Sequence, residues 1–385
     1  MIILIFVILF LFRYSSVSLM CKRLAEGLSH QINRETNLFD FNSSLQLFIV
    51  DRRSDPITPL LNQWTYEAMT HELFGIHNQR VNLGKMNPNV SKELSEIVLS
   101  PLQDHFYRDN LSKTFGEIGV SIKMLMEEFQ AKSKSQQQVQ SLDDMKRFVE
   151  NYPQFKKMSG TVSKHVTLVS ELSRVQAEQN LLEISELEQD IVCGNNQSDV
   201  LQRIKDLVNS KNVSSKEALR LTALYSLRYK TSNAINSLID RTNPKDGKEI
   251  IEALKNYNLA TMSTADSTNL KSLTKRFIKD LQGVQDIQNV YTQHKPNMLK
   301  DLIDQISTGR LKEEQYPLVK GKNAVNSSSI KDSIIFIVGG STYEEIAYVD
   351  QFNSCNSHIT FVLGGTCVHN SKTFIEEVLH ACFNR

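Results

Sequence analysis

The sequence predicts an α/β fold whose incomplete parallel sheet is built from both chain ends and interrupted by a large, mainly helical insertion. Three short apolar runs support the sheet: residues 45–50, 333–338 and 359–363. Each is mostly continuous rather than alternating, as expected for parallel strands covered on both faces. Between the first two runs, from about residue 59 to 331, the apolar spacing is helical, which predicts the insertion.

A polar turn follows the first predicted strand directly. It carries Asp51, Arg52, Arg53 and Asp55. Two arginines flanked by two acids favour an internal ion-pair network that fixes a domain junction, rather than a ligand site. After this turn, Thr58 is the predicted N-cap of a helix, with proline at the first helical position.

Two apolar stripes predict long helices in the insertion. The first predicts a helix with its charged side chains turned away, and consists of Phe115, Ile118, Ile122, Leu125 and Phe129. The second predicts one helix long enough to project from a compact body, and consists of Val162, Val166, Val169, Leu172, Val175, Leu181, Ile184, Leu187 and Ile191. Between the stripes, Pro153 predicts a break, because proline cannot continue the hydrogen-bond ladder of a helix.

The last two apolar runs both end in a pair of glycines and lead into helices. Ser341 with Glu344, and Thr373 with Glu376, fit the capping-box pattern. The C-terminal region therefore predicts two successive β-turn-α units with right-handed crossovers. Neither glycine pair matches a dinucleotide-binding or Walker pattern, so we expect tight turns and no catalytic site.

Composition and charge exclude several classes of protein. The chain has 385 residues, and its 44 basic and 43 acidic side chains leave a net charge of +1, which does not favour nucleic-acid binding. Five scattered cysteines form no C-x-x-C pair, and nine histidines form no H-E-x-x-H or i, i+4 pair. We therefore predict reduced thiols in the cytoplasm, no disulfide framework, no metal site and no cofactor.

The first residues need a separate interpretation. Residues 2–12 form an apolar run that is much shorter than the ~20 residues of a membrane span. A secretory signal normally has a basic residue before its apolar core, and none precedes this run. Three interpretations stay open: an alternative start of the chain, a membrane anchor, and a buried strand or helix of a truncated domain.

Long segments of the chain resemble the Sec/Munc (SM) family of SNARE regulators. They are the two glycine-ended strands and residues 48–66 (FIVDRRSDPITPLLNQWTY), 150–166 (ENYPQFKKMSGTVSKHV), 289–296 (NVYTQHKP) and 309–313 (GRLKE). Motifs of this length in this order are highly specific. The resemblance begins near Cys21, so we expect residues 1–20 to lie outside it.

The resemblance implies a domain organisation. SM proteins form an arch of an N-terminal α/β domain, a second α/β domain made of two segments, and a helical third domain inserted into the second. Residues 21–58 and 330–385 would form the second domain. Residues 59–329 would form the third, with a helical hairpin near residues 115–191. The first domain is expected to have no counterpart in this chain.

The resemblance also implies site residues. In SM proteins a proline lies in the hinge of the helical hairpin, a position that Pro153 matches. The helix after it would face the SNARE helices and present a basic cluster, through Lys156, Lys157, Lys164, His165, Val166 and Val169. From the residues alone, Pro153 can equally mark an ordinary loop, the valines can be hairpin core, and the lysines can be a solvated surface.

The function implied is binding, without catalysis. The resemblance implies that the chain templates SNARE assembly for vesicle docking and fusion in trans-Golgi, endosomal and vacuolar transport. The expected partners are a syntaxin-type SNARE and the assembling SNARE bundle, with a monomeric chain that associates peripherally with trans-Golgi and endosome membranes. The alternatives are a membrane-anchored adaptor, a truncated non-functional isoform, and a nucleotide-binding α/β enzyme.

Overall fold

The main sheet of the protein consists of four parallel strands. The structure is a computed structural model that describes residues 9–34, 45–137, 142–193, 196–209, 213–229, 232–242, 246–258, 297–319 and 332–383. In the order β1-β2-β5-β6, the strands are β1 (Leu9–Tyr14), β2 (Leu45–Asp51), β5 (Asp332–Val338) and β6 (Thr360–Gly365). The three apolar runs each form a strand, which confirms the predicted parallel sheet.

Strands from distant parts of the chain pair at the centre of this sheet. β2 and β5 are in register from Leu45 opposite Asp332 to Asp51 opposite Val338. Because side chains alternate along a strand, Phe48 and Val50 point to one face of β2, while Leu47 and Ile49 point to the other. Both sets are buried in separate apolar clusters, which accounts for the continuous apolar character of this strand.

The first strand lies in the apolar N-terminal run. β1 pairs in parallel with β2, and its Leu11 and Phe12 are buried. The described part of the run is therefore a strand of the main sheet, whereas residues 1–8 lie outside the described residues. Among the described residues, no helix combines the length and the apolar character that a bilayer-spanning segment requires.

Helices account for most of the rest of the described chain. Helix α1 (Leu19–Arg34) packs on the sheet face formed by Leu47 and Ile49, and the short strands β3 (Arg80–Asn82) and β4 (Glu96–Val98) pair in antiparallel fashion. The other helices are α2 (Tyr66–Phe74), α3 (His105–Asn110), α4 (Phe115–Gln137), α5 (Leu142–Glu178), α6 (Leu181–Cys193), α7 (Gln197–Asn209), α8 (Ser215–Tyr229), α9 (Ser232–Thr242), α10 (Gly247–Tyr257), α11 (Asn297–Ser307), α12 (Tyr343–Cys355) and α13 (Ser371–Phe383).

Residues of α2, α4 to α10 and α13 share one apolar core. The first predicted stripe is confirmed on α4, where Ile118 and Ile122 are buried. Most residues of the second stripe also pack in this core, but the stripe spans two helices rather than one. Asn180, with φ of 51°, separates α5 from α6, and asparagine is one of the few residues that adopt this backbone conformation at low cost.

The predicted break at Pro153 is wrong. Helix α5 continues through this residue from Leu142 to Glu178. Proline removes only one hydrogen bond of the ladder and favours a bend, so a long helix with a well-packed C-terminal half can accommodate it. The apolar side chains after Gly160 supply that packing, since Leu168, Leu172 and Val175 are buried.

Three predicted helix starts are displaced. Thr58 lies within a 3-10 turn (Thr58–Leu60), where its hydroxyl donates to Asp55 Oδ2 at 2.6 Å, and the α-helix begins only at Tyr66. The capping box of α12 is formed by Thr342 and Glu345, one residue later than predicted. At α13, Asn370 Oδ1 accepts from the Thr373 N–H at 2.9 Å, so the helix begins before Thr373.

Candidate functional site

A groove runs along one face of the C-terminal part of α5. Four of its residues recur along α5 at intervals of one helical turn, and the opposite wall comes from β4 and the chain leading into α3. The groove measures about 540 Å³. We call it the α5 groove and define it by Val98, Ser100, Leu102, Gln103, Asp104, His105, Lys157, Gly160, Thr161 and Lys164.

A polar network beneath the α5 groove fixes its two walls. His165 lies between Tyr66, whose hydroxyl is 2.8 Å from Nδ1, and Asp104, whose Oδ2 is 2.8 Å from Nε2. Lys164 pairs with the same carboxylate and donates to the Val98 carbonyl at 3.1 Å. Asp104 also caps α3, because its Oδ1 accepts from the Tyr107 N–H at 3.0 Å. The network therefore joins α5 to both β4 and α3.

The protonation states in this network follow from burial and pairing. Burial lowers the pKa of His165, and the neighbouring Asp104 only partly opposes this effect. Burial alone would raise the pKa of Asp104, but hydrogen bonds from His165, Lys164 and the Tyr107 N–H more than offset it, so the pKa lies below its usual range. A neutral His165 thus donates from Nε2 to a charged carboxylate and accepts from Tyr66 at Nδ1.

The structure separates the expected SNARE-facing residues into two groups. Lys156 and Lys157 are exposed, and Lys157 lines the groove. His165 is fully buried, and Lys164 retains 18% side-chain exposure because it is held by Asp104. Val166 and Val169 are half-buried against the helical core. The His165 side chain is therefore enclosed, whereas the two valines keep part of their surface exposed.

Pro153 lies in α5 on the N-terminal side of the groove. Close to it, Phe155 stacks on Phe129 of α4, with ring centroids 5.2 Å apart and an interplanar angle of 16°. This stacked pair ties the two long helices together next to the proline. Pro153 thus precedes the residues of α5 that line the groove.

Sequence reasoning missed two features near this site. The wall formed by residues 98–105 has no recognisable motif, because its contribution depends on contacts with α5 rather than on spacing. On α4, Val120 and Met124 are 61% and 64% exposed and lie one helical turn apart. Their positions off the main apolar stripe of α4 could have identified this second, exposed apolar strip.

The turn after β2 forms two charged clusters rather than one. Arg52 is fully buried and donates to both carboxylate oxygens of Glu345, at 2.7 and 2.6 Å, and to the Gly340 carbonyl at 3.0 Å. Arg53 pairs with Asp51, whose Oδ2 also accepts from the Ser18 hydroxyl at 2.5 Å. The two arginines thus join β2 to α12 and to the residue before α1.

A model of the Sec1 family matches residues 4–377. The Homo sapiens vacuolar protein sorting-associated protein 45 is 47% identical over 380 residues, which cover 95% of this chain and 65% of that protein. Its Saccharomyces cerevisiae namesake is 33% identical, over 96% of this chain and 67% of its own length. The chain thus spans about 65% of the human relative. Since the family match begins at residue 4, the expected start of the resemblance near Cys21 is wrong.

The fold is similar to that of several solved SM proteins. The SM protein Vps45 in complex with the Qa SNARE Tlg2 has a TM-score of 0.84 and 40% identity, over 96% of this chain and 66% of that chain. Vps45 in another structure has a TM-score of 0.79 and 38% identity, over 96% and 63%. The Unc18–syntaxin 1 complex from Monosiga brevicollis has a TM-score of 0.75 at 22% identity, over 96% and 68%, which is a likeness of fold alone.

Proposed function

We propose, from the premise that this chain belongs to the Sec1 family, that it binds a syntaxin-type SNARE and templates assembly of the SNARE bundle. The observation that carries the proposal is the likeness to the SM protein Vps45 in complex with a Qa SNARE, at 40% identity and a TM-score of 0.84. Its role would be binding rather than bond chemistry, in trans-Golgi, endosomal and vacuolar vesicle docking and fusion. The chain would act in the cytoplasm as a monomer, peripherally associated with membranes through the SNAREs.

The α5 groove is the contact that we propose for a SNARE helix. A helix-in-groove complex needs a rigid cleft, and the Tyr66–His165–Asp104 network holds the two walls together. SNARE motifs are generally acidic, so the exposed Lys156 and Lys157 would steer them electrostatically. Val120 and Met124 of α4 add exposed apolar area for a second helix of the bundle.

Pro153 is proposed to act as a hinge of α5. The α5 groove lies in the proposed helical domain of residues 59–329. The pairing of β2 with β5 supports an α/β domain of residues 21–58 and 330–385, to which β1 (Leu9–Tyr14) adds a strand. The Asp51, Arg52, Arg53 and Asp55 clusters lie at its junction. In this arrangement, bending of α5 would change the groove without disturbing the sheet.

The test is binding of the full chain to a trans-Golgi Qa SNARE cytosolic region, and separately to the assembled SNARE bundle, measured by calorimetry. Lys157→Glu introduces like charge against an acidic helix, so we expect at least about tenfold weaker binding, equivalent to ~1.4 kcal/mol. Lys372→Glu on α13 changes the charge by the same amount outside the groove and should bind like the wild type.

Absence of binding to both SNARE forms by a folded chain would overturn the proposal and favour a non-functional isoform. A nucleotide-dependent rise in melting temperature without SNARE binding would instead favour the enzyme alternative. Membrane association that resists carbonate extraction and requires residues 2–12 would favour the membrane-anchored adaptor.

A further inference from the structure

Three side chains that can bind a metal ion converge where β6 leads into α13. Cys367 and His369 lie in the connecting loop, and Glu377 lies on the helix. The Cys367 Sγ is 3.2 Å from His369 Nε2 and 3.6 Å from Glu377 Oε2, while the last two atoms are 3.1 Å apart. These atoms all lie within 4.8 Å of one another, at the carboxyl edge of the parallel sheet.

The separations match a tetrahedral zinc ion. Zinc bonds of about 2.3 Å to sulfur and about 2.0–2.2 Å to nitrogen and oxygen place neighbouring ligand atoms roughly 3.2–3.6 Å apart. The three observed distances fall on or just below that range, so the site would require shifts of only a few tenths of an ångström. A thiolate and a carboxylate would also neutralise the two charges of the ion.

The histidine ring is oriented for metal binding by its other nitrogen. His369 Nδ1 lies 3.2 Å from the Thr373 hydroxyl oxygen, which donates to the Asn370 carbonyl at 3.1 Å. That hydroxyl is therefore an acceptor toward Nδ1–H, which leaves the lone pair of Nε2 directed at Cys367 and Glu377. An outer hydrogen bond of this kind is the usual support of a metal-binding histidine.

The loop is also held rigidly beside the end of β5. The Ser341 N–H donates to the Cys367 carbonyl at 2.9 Å, and the His369 N–H donates to the Ser341 carbonyl at 2.7 Å. Gly340 has φ of 86°, and a Cβ there would lie 2.4 Å from His369 Cδ2 and 2.8 Å from Cys367 Sγ. Glycine at this position is therefore what allows both ligands to approach the backbone of β5.

A catalytic thiol is a poorer explanation of the same cluster. Burial and the neighbouring Glu377 raise the pKa of Cys367, whereas nucleophilic cysteines have a lowered pKa. Arg52, a cation that acts on both Cys367 and His369, is already paired with Glu345.

We propose that Cys367, His369 and Glu377 bind one Zn²⁺ ion, with water in the fourth position. The thiol proton is released to solvent when the Zn–S bond forms. Because Phe374 and Val378 of α13 are buried in the helical core, the ion would clamp the sheet to the helical part of the molecule. No metal site was expected from the sequence, because the cysteines form no C-x-x-C pair and the histidines form no H-E-x-x-H or i, i+4 pair.

The experiment titrates the metal-free full chain with Co²⁺ and then with Zn²⁺, under reducing conditions. We expect one Co²⁺ per chain, a thiolate-to-cobalt absorption band in the near ultraviolet, and its loss when Zn²⁺ displaces Co²⁺. Cys367→Ser should abolish the band, and Glu377→Gln should weaken binding at least about tenfold. Cys355→Ser, which removes an exposed thiol outside the site, should leave both unchanged.

A folded wild-type chain that shows no thiolate band would overturn the proposal. So would a Cys367→Ser chain that binds Co²⁺ with the wild-type band and affinity. If Cys367→Ser does not fold, the test rests on Glu377→Gln, because the Glu377 side chain is 39% exposed and tolerates substitution. Wild-type Co²⁺ affinity in Glu377→Gln would overturn the proposal.

Discussion

Arg52 shows how a single charged side chain can hold the sheet to its neighbouring helix. Its guanidinium is fully buried and meets both oxygens of Glu345. Burial alone would lower the pKa of Arg52, but Glu345 and Asp55 more than offset it, so the arginine stays charged. Removing one member of such a pair leaves the other charge buried and uncompensated.

We therefore expect Arg52→Met to lower the free energy of unfolding by about 3–5 kcal/mol. Urea denaturation monitored by circular dichroism measures this change. The matched control is Arg80→Met, which breaks the exposed 2.7 Å pair with Glu96 and should cost no more than about 1 kcal/mol. Equal effects of the two substitutions would show that burial of the Arg52 pair is irrelevant to stability.

His165 should make stability depend on pH. Burial lowers the pKa of His165 in the folded chain, so below the ordinary value the unfolded chain binds a proton that the folded chain does not. Stability is therefore present above the unfolded pKa and is lost as pH falls through it. When the pH is lowered from about 7.5 to about 5.5, across the ordinary histidine pKa, the free energy of unfolding should fall in both proteins. We expect the fall to be smaller for His165→Gln than for the wild type.

The control for this measurement is His105→Gln, which replaces an exposed histidine next to the same network. It should retain the pH dependence of the wild type. If His165→Gln shows that dependence too, His165 does not titrate as its burial requires.

At the residue scale, the sequence predicted which side chains form ion pairs better than it predicted which side chains are buried. The charged turn after β2 was expected to form an internal ion-pair network; Arg53 pairs with Asp51 of the turn, whereas Arg52 pairs with the distant Glu345. His165 was expected at a surface because the family resemblance implies that the helix after Pro153 faces the SNARE helices. The partners of His165, Tyr66 and Asp104, lie far away in sequence.

At the element scale, α5 is continuous although it contains Pro153. Alanine restores the missing backbone N–H, so Pro153→Ala should favour the straight helix over a bent one by up to about 3 kcal/mol. If extension of α5 promotes templating, SNARE assembly measured by fluorescence transfer should become faster. Ser163→Ala, an exposed control on the same helix, should leave the rate unchanged. An unchanged rate in Pro153→Ala would remove the hinge from the mechanism.

Gly340 determines the connection between β5 and α12. With φ of 86° and a Cβ clash with His369, Gly340→Ala should lower the free energy of unfolding by at least about 1–3 kcal/mol. Gly119→Ala on α4 is the matched control, because nothing lies within 4 Å of its Cβ, and it should be neutral or stabilising by up to about 1 kcal/mol. Thermal denaturation compares the two, and a neutral Gly340→Ala would contradict the tight approach.

Helices and strands were predicted correctly where the spacing of apolar residues in the sequence was clear. The three continuous apolar runs became strands, and the α4 stripe became a helix. The separation of α5 from α6 was missed because the apolar spacing continues across Asn180 and only its backbone conformation ends the first helix. Similarly, β1 was not assigned because an apolar run at a chain end fits several structures.

At the scale of the whole molecule, the pairing of β2 with β5 brings distant segments together and leaves the helical part between them in sequence. That topology was predictable from strand-like runs near both ends. The α5 groove was not predictable, because half of it comes from a loop and from α3, which no periodicity relates to α5. The family resemblance pointed to α5, and the structure shows which of its side chains are exposed.

The most direct measurement is photo-crosslinking from inside the groove. A photoreactive amino acid in place of Thr161 should crosslink to the Qa SNARE motif, because Thr161 lines the α5 groove. The same amino acid in place of Lys372, an exposed residue of α13, should give no crosslink at equal binding. A SNARE that binds both proteins but crosslinks only from position 372, or from neither position, would contradict the assignment of the groove.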